Sequence, residues 1–170
     1  MNVRIYKTAF LILGAMIINS CSKQDIDPLQ DNRPTVPVSI TNATEFRPDP
    51  TVTTSLAAGG NISVVLSIPA SSGRTIKEIT RIAAATSYTK IQSGGSTGYY
   101  ENAPIAVNGT TYTYNTTVSD YFVKFPATSA TGSNPPAAAN KELALRFYFL
   151  VTLDDNSQVV TMPVRILVLT

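Results

Sequence analysis

The residues of this chain that could carry out acid–base chemistry are almost all carboxylates. Histidine, the commonest general base and metal ligand, is absent from the 170 residues, and cysteine occurs once. Two suitably placed carboxylates are enough for glycoside hydrolysis, and the candidates are Glu78, Glu101, Asp120 and Glu142. Their spacing along the sequence selects no pair, so we expect a protein that is not an enzyme.

A metal site or a phosphate site is the next chemistry to consider. Asp154, Asp155 and Asn156 offer oxygen ligands, but they lack the alternating ligands, central glycine and terminal glutamate of an EF-hand calcium loop. The glycine-rich segment 93–98 lacks the Lys-Ser/Thr pair of a phosphate-binding loop. We therefore interpret 154–157 as a turn and 93–98 as a flexible loop, and we expect no metal and no cofactor.

The single cysteine, Cys21, stands directly after a segment with the layout of a secretory signal. Arg4 and Lys7 precede a run of apolar or small residues from Ala9 to Ile18. A helix that stays in a membrane needs about 20 apolar residues, so this run is too short. We expect residues 1–20 to be removed as a signal peptide.

The tetrad Ile18-Asn19-Ser20-Cys21 resembles the lipobox of the bacterial lipoprotein family. The resemblance implies that the signal is cut before Cys21, that the thiol of Cys21 carries a diacylglyceryl group and that the new amino terminus is acylated. Several lipid chains on one residue give stable membrane attachment, which a single chain does not. The alternative is an ordinary signal peptide followed by an incidental free thiol.

The stretch that follows Cys21 has the composition of a tether. Up to Pro37 it contains three prolines, three aspartates and Asn32 and few large apolar residues, so it does not bury enough surface to order itself. Its first acids, Asp25 and Asp27, resemble the surface-export signals of Bacteroidota-type lipoproteins, which implies a place at the outer membrane. A linker that is merely soluble is the alternative interpretation of these acids.

The predicted mature chain is electrically neutral. The whole sequence has 13 Lys and Arg against 11 Asp and Glu, and residues 1–20 contain two of the bases and no acid, so 13 minus 2 leaves 11 against 11. This balance gives no electrostatic case for nucleic acid binding. We expect a signal peptide at 1–20, an acylated cysteine and tether at 21–37, and a single domain at 38–170.

The predicted domain has the period-two hydrophobicity of β-strands. Apolar residues alternate from Ile62 to Ile68, and again on both sides of the turn at 154–157. The sequence therefore predicts a strand at 62–68 and a hairpin over 143–169. Pro163 has no N–H for a ladder hydrogen bond, so we expect the last strand to lie at a sheet edge or to contain a bulge.

A second hairpin is predicted at Asn108-Gly109, the dipeptide that best tolerates a type I′ turn. In that register Ile105 faces Tyr112 and Ala103 faces Tyr114. We expect the two tyrosines to be half-buried cross-strand partners rather than exposed ligand contacts.

The remaining segments give weaker signals. Short strands are predicted at 36–41, 51–56 and 121–125. The segment 75–85 is ambiguous, because its isoleucines recur every third residue as in a helix, but no capping box precedes it and we favour a strand. Together these patterns predict an all-β fold, an immunoglobulin-like β-sandwich of about seven to nine antiparallel strands.

Two kinds of binding role fit such a lipoprotein, and the first is assembly with another protein. The strand over 159–170 is long and apolar, so we expect it to offer an open sheet edge to an envelope partner. On this interpretation the chain is a non-catalytic lipoprotein of the cell envelope, attached to the outer membrane through Cys21. A fimbrial-type structural subunit is a variant of the same idea.

The second role is glycan binding. Tyr99 and Tyr100 stand beside the 93–98 loop, and aromatic faces stack on sugars. The resemblance to Bacteroidota-type lipoproteins implies an accessory function in polysaccharide uptake. Tyr99 and Tyr100 are therefore the candidate ligand-binding residues of the sequence.

Overall fold

The computed structural model describes residues 34–95, 97–125 and 141–170. The predicted signal peptide, Cys21 and most of the predicted tether lie outside the described residues. Within them, no helix has the length and apolar content needed to cross a membrane.

The described residues form ten strands, two short α-helices and one 3₁₀ turn. The strands are β1 (Ser39–Ile40), β2 (Thr51–Ser55), β3 (Asn61–Ser67), β4 (Ile76–Ala85), β5 (Ile105–Gly109), β6 (Thr111–Thr117), β7 (Lys141–Glu142), β8 (Arg146–Leu153), β9 (Gln158–Val160) and β10 (Arg165–Leu169). The helices are α1 (Thr89–Gln92) and α2 (Val118–Lys124), and the 3₁₀ turn is Ala70–Ser72.

The strands make three sheets, ordered β1-β3-β6, β2-β10-β7 and β5-β4-β8-β9. The fold is all-β and sandwich-like, as the sequence predicts. The expectation of antiparallel strands throughout is wrong in one place, because β10 pairs with β2 in parallel. These two strands are far apart in the sequence and share no hairpin, so no tight turn imposes opposite directions on them.

Consecutive strands belong to different sheets at seven of the nine connections between the described strands. Only the connections from β4 to β5 and from β8 to β9 stay within one sheet. Strands that change sheet in this way form the corners of packed sheets. As a result all three sheets and α2 contribute side chains to one large hydrophobic core.

The segment 75–85 is the strand β4, as we favoured. Ile76, Ile79 and Ile82 are all fully buried although they are three residues apart, a spacing that a regular strand does not place on one face. The register of β4 against β8 shifts between Ile76 and Glu78 and again between Ile79 and Arg81. Each bulge adds one residue, which returns the next isoleucine to the core.

The predicted hairpin over 143–169 is confirmed. β8 and β9 pair across a turn in which Asn156 has a φ of 64°, and the N–H of Leu153 donates to the carbonyl of Ser157 at 2.9 Å. The antiparallel pairing of the two arms continues beyond Val160, because Phe147 bridges Val164 and β7 pairs with β10.

Pro163 stands between β9 and β10, where one extra residue lies between the pairs Leu150–Val160 and Phe147–Val164. This extra residue fits the predicted bulge. The alternative expectation, a sheet edge, is wrong for β10, which lies between β2 and β7.

The predicted hairpin at Asn108-Gly109 is wrong. Its two strands do not pair with each other, because β5 pairs with β4 and β6 pairs with β3. Tyr112 faces Leu66 and Tyr114 faces Val64, so each tyrosine meets a side chain of the β3 strand. The expectation that neither tyrosine is an exposed ligand contact holds, since Tyr112 is half-buried and Tyr114 is only 5% exposed.

The predicted strand at 121–125 is also wrong, because these residues belong mainly to α2. Thr117 caps this helix: its Oγ1 accepts the N–H of Asp120 at 2.9 Å and donates to Oδ2 of Asp120 at 2.8 Å. Tyr121 and Phe122 point into the core. Local capping at Thr117 outweighs the strand preference of these aromatic residues.

Candidate functional site

Tyr100, one of the two predicted ligand contacts, is a core residue. Its side chain is 2% exposed, its ring lies 4.9 Å from that of Phe147 and 6.0 Å from that of Phe125, centroid to centroid, and its hydroxyl shares a 2.6 Å hydrogen bond with that of Thr116. Burial raises the pKa of Tyr100 to about 12. The ring therefore offers no face to a ligand in this structure.

Tyr99 points the other way and is half-buried on the outside of the β5-β4-β8-β9 sheet. Two cations lie against its ring: the Cζ of Arg81 is 5.2 Å and the Nζ of Lys90 is 4.9 Å from the ring centroid. The Nη1 of Arg81 also donates to the Tyr99 hydroxyl at 3.4 Å. These distances are those of cation–π contacts, and they place both charges at one spot on the surface.

An open cleft of about 420 Å³ adjoins this group. Its polar lining consists of Thr80, Arg81, Gln92 and Gln158, and its apolar floor consists of Ile91, Leu150 and Val160. We call this cleft, together with Tyr99 and Lys90, the Tyr99 cleft. An apolar floor with a few convergent polar groups is the usual makeup of a ligand site.

A second, small hydrophobic cluster holds the Tyr99 cleft on the outer face of the sheet. Ala83 and Tyr148 of the sheet are buried beneath Ile91 of α1, and Tyr99 packs against the same cluster. Helix α1 is only four residues long, so this packing, rather than helix propensity, holds it in place. The cleft therefore has a rigid sheet on one side and a short helix on the other.

Lys90 fixes the segment that carries Tyr99. Its Nζ donates to the carbonyl of Thr97 at 2.7 Å, directly over Gly98, whose φ is +73°. A Cβ at Gly98 would lie 3.0 Å from this Nζ, so both the backbone conformation and the close approach favour glycine there.

A row of hydroxyl and amide groups continues along the sheet from the cleft. Thr80 and Thr152 share a 2.5 Å hydrogen bond between their hydroxyls, and Gln158 Nε2 approaches Thr152 Oγ1 at 3.4 Å. At the far end, Thr80 Oγ1 also lies 3.1 Å from a carboxylate oxygen of Glu78. One of the four candidate carboxylates is thus bound into this row.

Glu101 and Asp120 are the two candidate carboxylates that the fold brings to one place. Both line a smaller cleft of about 270 Å³ between β6 and α2. Glu101 forms an ion pair with Lys124 at 2.6 Å and accepts the hydroxyl of Tyr114 at 3.4 Å, while Asp120 belongs to the cap of α2. Burial raises the pKa of Tyr114 well above its usual range, so this hydroxyl stays protonated as a donor.

Three further carboxylates considered in the sequence also contact neighbouring side chains, those of Glu142, Asp154 and Asp155. Glu142 pairs with Arg165, whose Nε donates to Oε2 at 2.9 Å and whose Nη2 contacts Oε1. Arg74 approaches Asp154 at 3.7 Å and Asp155 at 2.9 Å, and hydrogen bonds from Ser157 lower the pKa of Asp155. These contacts, with the turn at Asn156, favour a turn over a calcium loop at 154–157. Among the described residues, no three acidic, histidine or cysteine side chains group together as metal ligands would.

No protein-family model, curated protein or solved structure matches this chain.

The sequence points to Tyr99 as a site residue but gives no sign of Arg81 and Lys90. Tyr99 stands beside a visible glycine-rich loop, whereas Arg81 in β4 and Lys90 in α1 have no recognisable motif around them. Only the bulged course of β4 and the packing of α1 bring these three residues together.

Proposed function

We propose that this protein is a non-catalytic lipoprotein of the bacterial cell envelope that presents a sandwich-like β domain on a tether and binds a glycan in the Tyr99 cleft. The observation that carries the binding role is the position of Tyr99, beside an open cleft with polar walls and an apolar floor. The observation that carries the attachment is the lipobox-like tetrad ending at Cys21.

We expect the mature protein to begin at Cys21 and to carry both the thioether-linked lipid and an amide-linked acyl chain. Mass spectrometry of the amino-terminal peptide checks this directly. Substituting Cys21→Ser should abolish metabolic labelling with a fatty-acid analogue, because no thiol remains to be alkylated, while the neighbouring Ser22→Ala should leave the labelling intact. An unmodified thiol, or a mature chain that starts elsewhere, would contradict the proposed anchor.

Substituting Tyr99→Ala should weaken glycan retention at least tenfold, because it removes the aromatic surface at the cleft and releases both cations from the ring. The measurement is affinity electrophoresis of the purified lipoprotein in detergent, through gels that contain individual polysaccharides. Tyr88→Ala is the matched control, since Tyr88 is 39% exposed and packs edge-on against Tyr148 on the same face of the sheet, with ring centroids 4.9 Å apart. Equal retention of Tyr99→Ala and the parent protein would count against the cleft.

A role in protein assembly is the second candidate, and a different strand now supports it. β10 lies inside its sheet, but β6 lies at the end of the order β1-β3-β6. Over its seven residues, Thr111–Thr117, it has neither charge nor proline, the features that usually protect an edge from pairing. Crosslinking in intact cells through a photoreactive residue at position 113 should capture a protein partner if this edge is used for β-augmentation.

A further inference from the structure

The two cations of the Tyr99 cleft have no ion-pair partner in the described part of the chain. Arg74, Lys124, Arg146 and Arg165 all lie within 4 Å of a carboxylate oxygen. In contrast, the polar contacts of Arg81 and Lys90 are to the Tyr99 hydroxyl and the Thr97 carbonyl, which are neutral acceptors.

Most hydrogen-bond donors of this pair have no acceptor among the described residues and could bind a ligand. An arginine side chain has five N–H donors and a lysine has three, and within the described residues each side chain uses one of them. Both side chains are half-buried rather than fully extended into solvent, so their charges are held at the cleft by the Tyr99 ring. A fixed, planar guanidinium is well suited to bind a carboxylate or sulfate group through two parallel bonds.

Glu78, the carboxylate at the end of the hydroxyl and amide row, forms its described side-chain hydrogen bond with a hydroxyl and not with either cation. Glu78 accepts from Thr80, and no ion pair joins it to Arg81 or Lys90 among the described residues. The cleft wall next to Arg81 consists of amide and hydroxyl groups, those of Gln92, Gln158 and Thr80. Such groups bind sugar hydroxyls without adding charge.

We propose that the Tyr99 cleft selects an acidic glycan, in which a carboxylate or sulfate group contacts Arg81 and Lys90 while the neighbouring sugar hydroxyls contact the amide side chains. This inference rests on the proposed glycan-binding function and specifies the chemistry of its ligand. Because the cleft is open to solvent, the charge-dependent part of binding is screened by salt over about 8–10 Å at physiological ionic strength.

The test uses the purified lipoprotein in detergent with three probes: polygalacturonate for carboxylates, dextran sulfate for sulfates, and uncharged dextran. We expect retention by one or both acidic polysaccharides and none by dextran. Substituting Arg81→Gln should weaken that retention about 10- to 100-fold, the usual range for a charge-assisted bidentate contact. Lys90→Gln should act in the same direction, and raised salt should weaken retention by the parent protein.

Lys141→Gln is the matched control, because it removes the same charge from an exposed residue of β7 in another sheet and should leave retention unchanged. Circular dichroism melts of each variant separate lost binding from lost folding. A contrary outcome is that the protein retains neutral dextran, with this retention abolished by Tyr99→Ala and unchanged by Arg81→Gln. That result would overturn the acidic-ligand inference and leave the proposed function standing. Retention of no polysaccharide at all would overturn both.

Discussion

Replacing Tyr100 by alanine is expected to lower the free energy of unfolding by about 3–5 kcal/mol, the range for a large aromatic side chain removed from a core. The same change at the adjacent Tyr99 should cost less than about 1 kcal/mol, because that side chain lies at the surface. The ring of Tyr100 contacts Phe125 and Phe147, so its loss opens a cavity between β8 and the end of α2. Urea denaturation of the three proteins measures the difference.

The hydroxyl of Tyr100 supplies the control for this comparison. Tyr100→Phe keeps the packed ring and breaks only the 2.6 Å hydrogen bond to Thr116, which should cost about 1 kcal/mol. A loss of stability for Tyr99→Ala as large as that for Tyr100→Ala would mean that the two side chains share the core. That result would remove the basis for treating Tyr99 alone as the ligand contact.

The all-β class was predictable because alternation of apolar residues is a local property. Ile62, Val64, Leu66 and Ile68 alternate in the sequence, and all four are buried on one face. The pattern in β4 was harder to interpret, since Ile76, Ile79 and Ile82 recur as they would in a helix. Two bulges produce this spacing, and they arise from the register with β8, which sequence periodicity does not contain.

Strand pairing was less predictable than strand location. The dipeptide Asn108-Gly109 has the residues of a type I′ turn, yet β5 and β6 join different sheets. Turn propensity contributes little compared with the burial that β6 gains along β3, where Tyr114 faces Val64 in the core. Sheet changes of this kind depend on packing across the whole domain.

The candidate site was half predictable for a similar reason. A glycine-rich loop beside two tyrosines is visible in the sequence, but the sequence does not say which ring faces solvent. Tyr99 and Tyr100 point to opposite sides, and only the buried position of Tyr100 decides between them. Arg81 and Lys90 reach Tyr99 from β4 and α1, a convergence that follows from tertiary packing alone.

Raising the pH from 9 to 12 is expected to destabilise the protein through its buried tyrosines. Burial raises the pKa of Tyr100, Tyr114, Tyr121 and Tyr148 above the usual value of 10.0, and partial burial does the same for Tyr88 and Tyr112. Below pH 10 both folded and unfolded chains keep these hydroxyls protonated, so stability does not depend on them. Above pH 10 the unfolded chain releases protons that the folded chain retains, and the free energy of unfolding falls.

Tyr100→Phe isolates the contribution of one tyrosine, and the difference in stability between this variant and the parent protein should change sign with pH. With a pKa of about 12 in the folded state, Tyr100 accounts for a loss of about 2–3 kcal/mol by pH 12, whereas phenylalanine loses nothing. The variant should therefore be less stable than the parent protein at pH 8, by about 1 kcal/mol for the missing hydrogen bond. It should become the more stable of the two before pH 12 is reached.

Urea denaturation at each pH measures the free energy of unfolding of both proteins. Because all other titrating groups are shared, their effects cancel in the difference. Parallel curves without a crossing would show that the Tyr100 hydroxyl ionises as readily in the folded chain as in the unfolded one, and so is not sealed in the core.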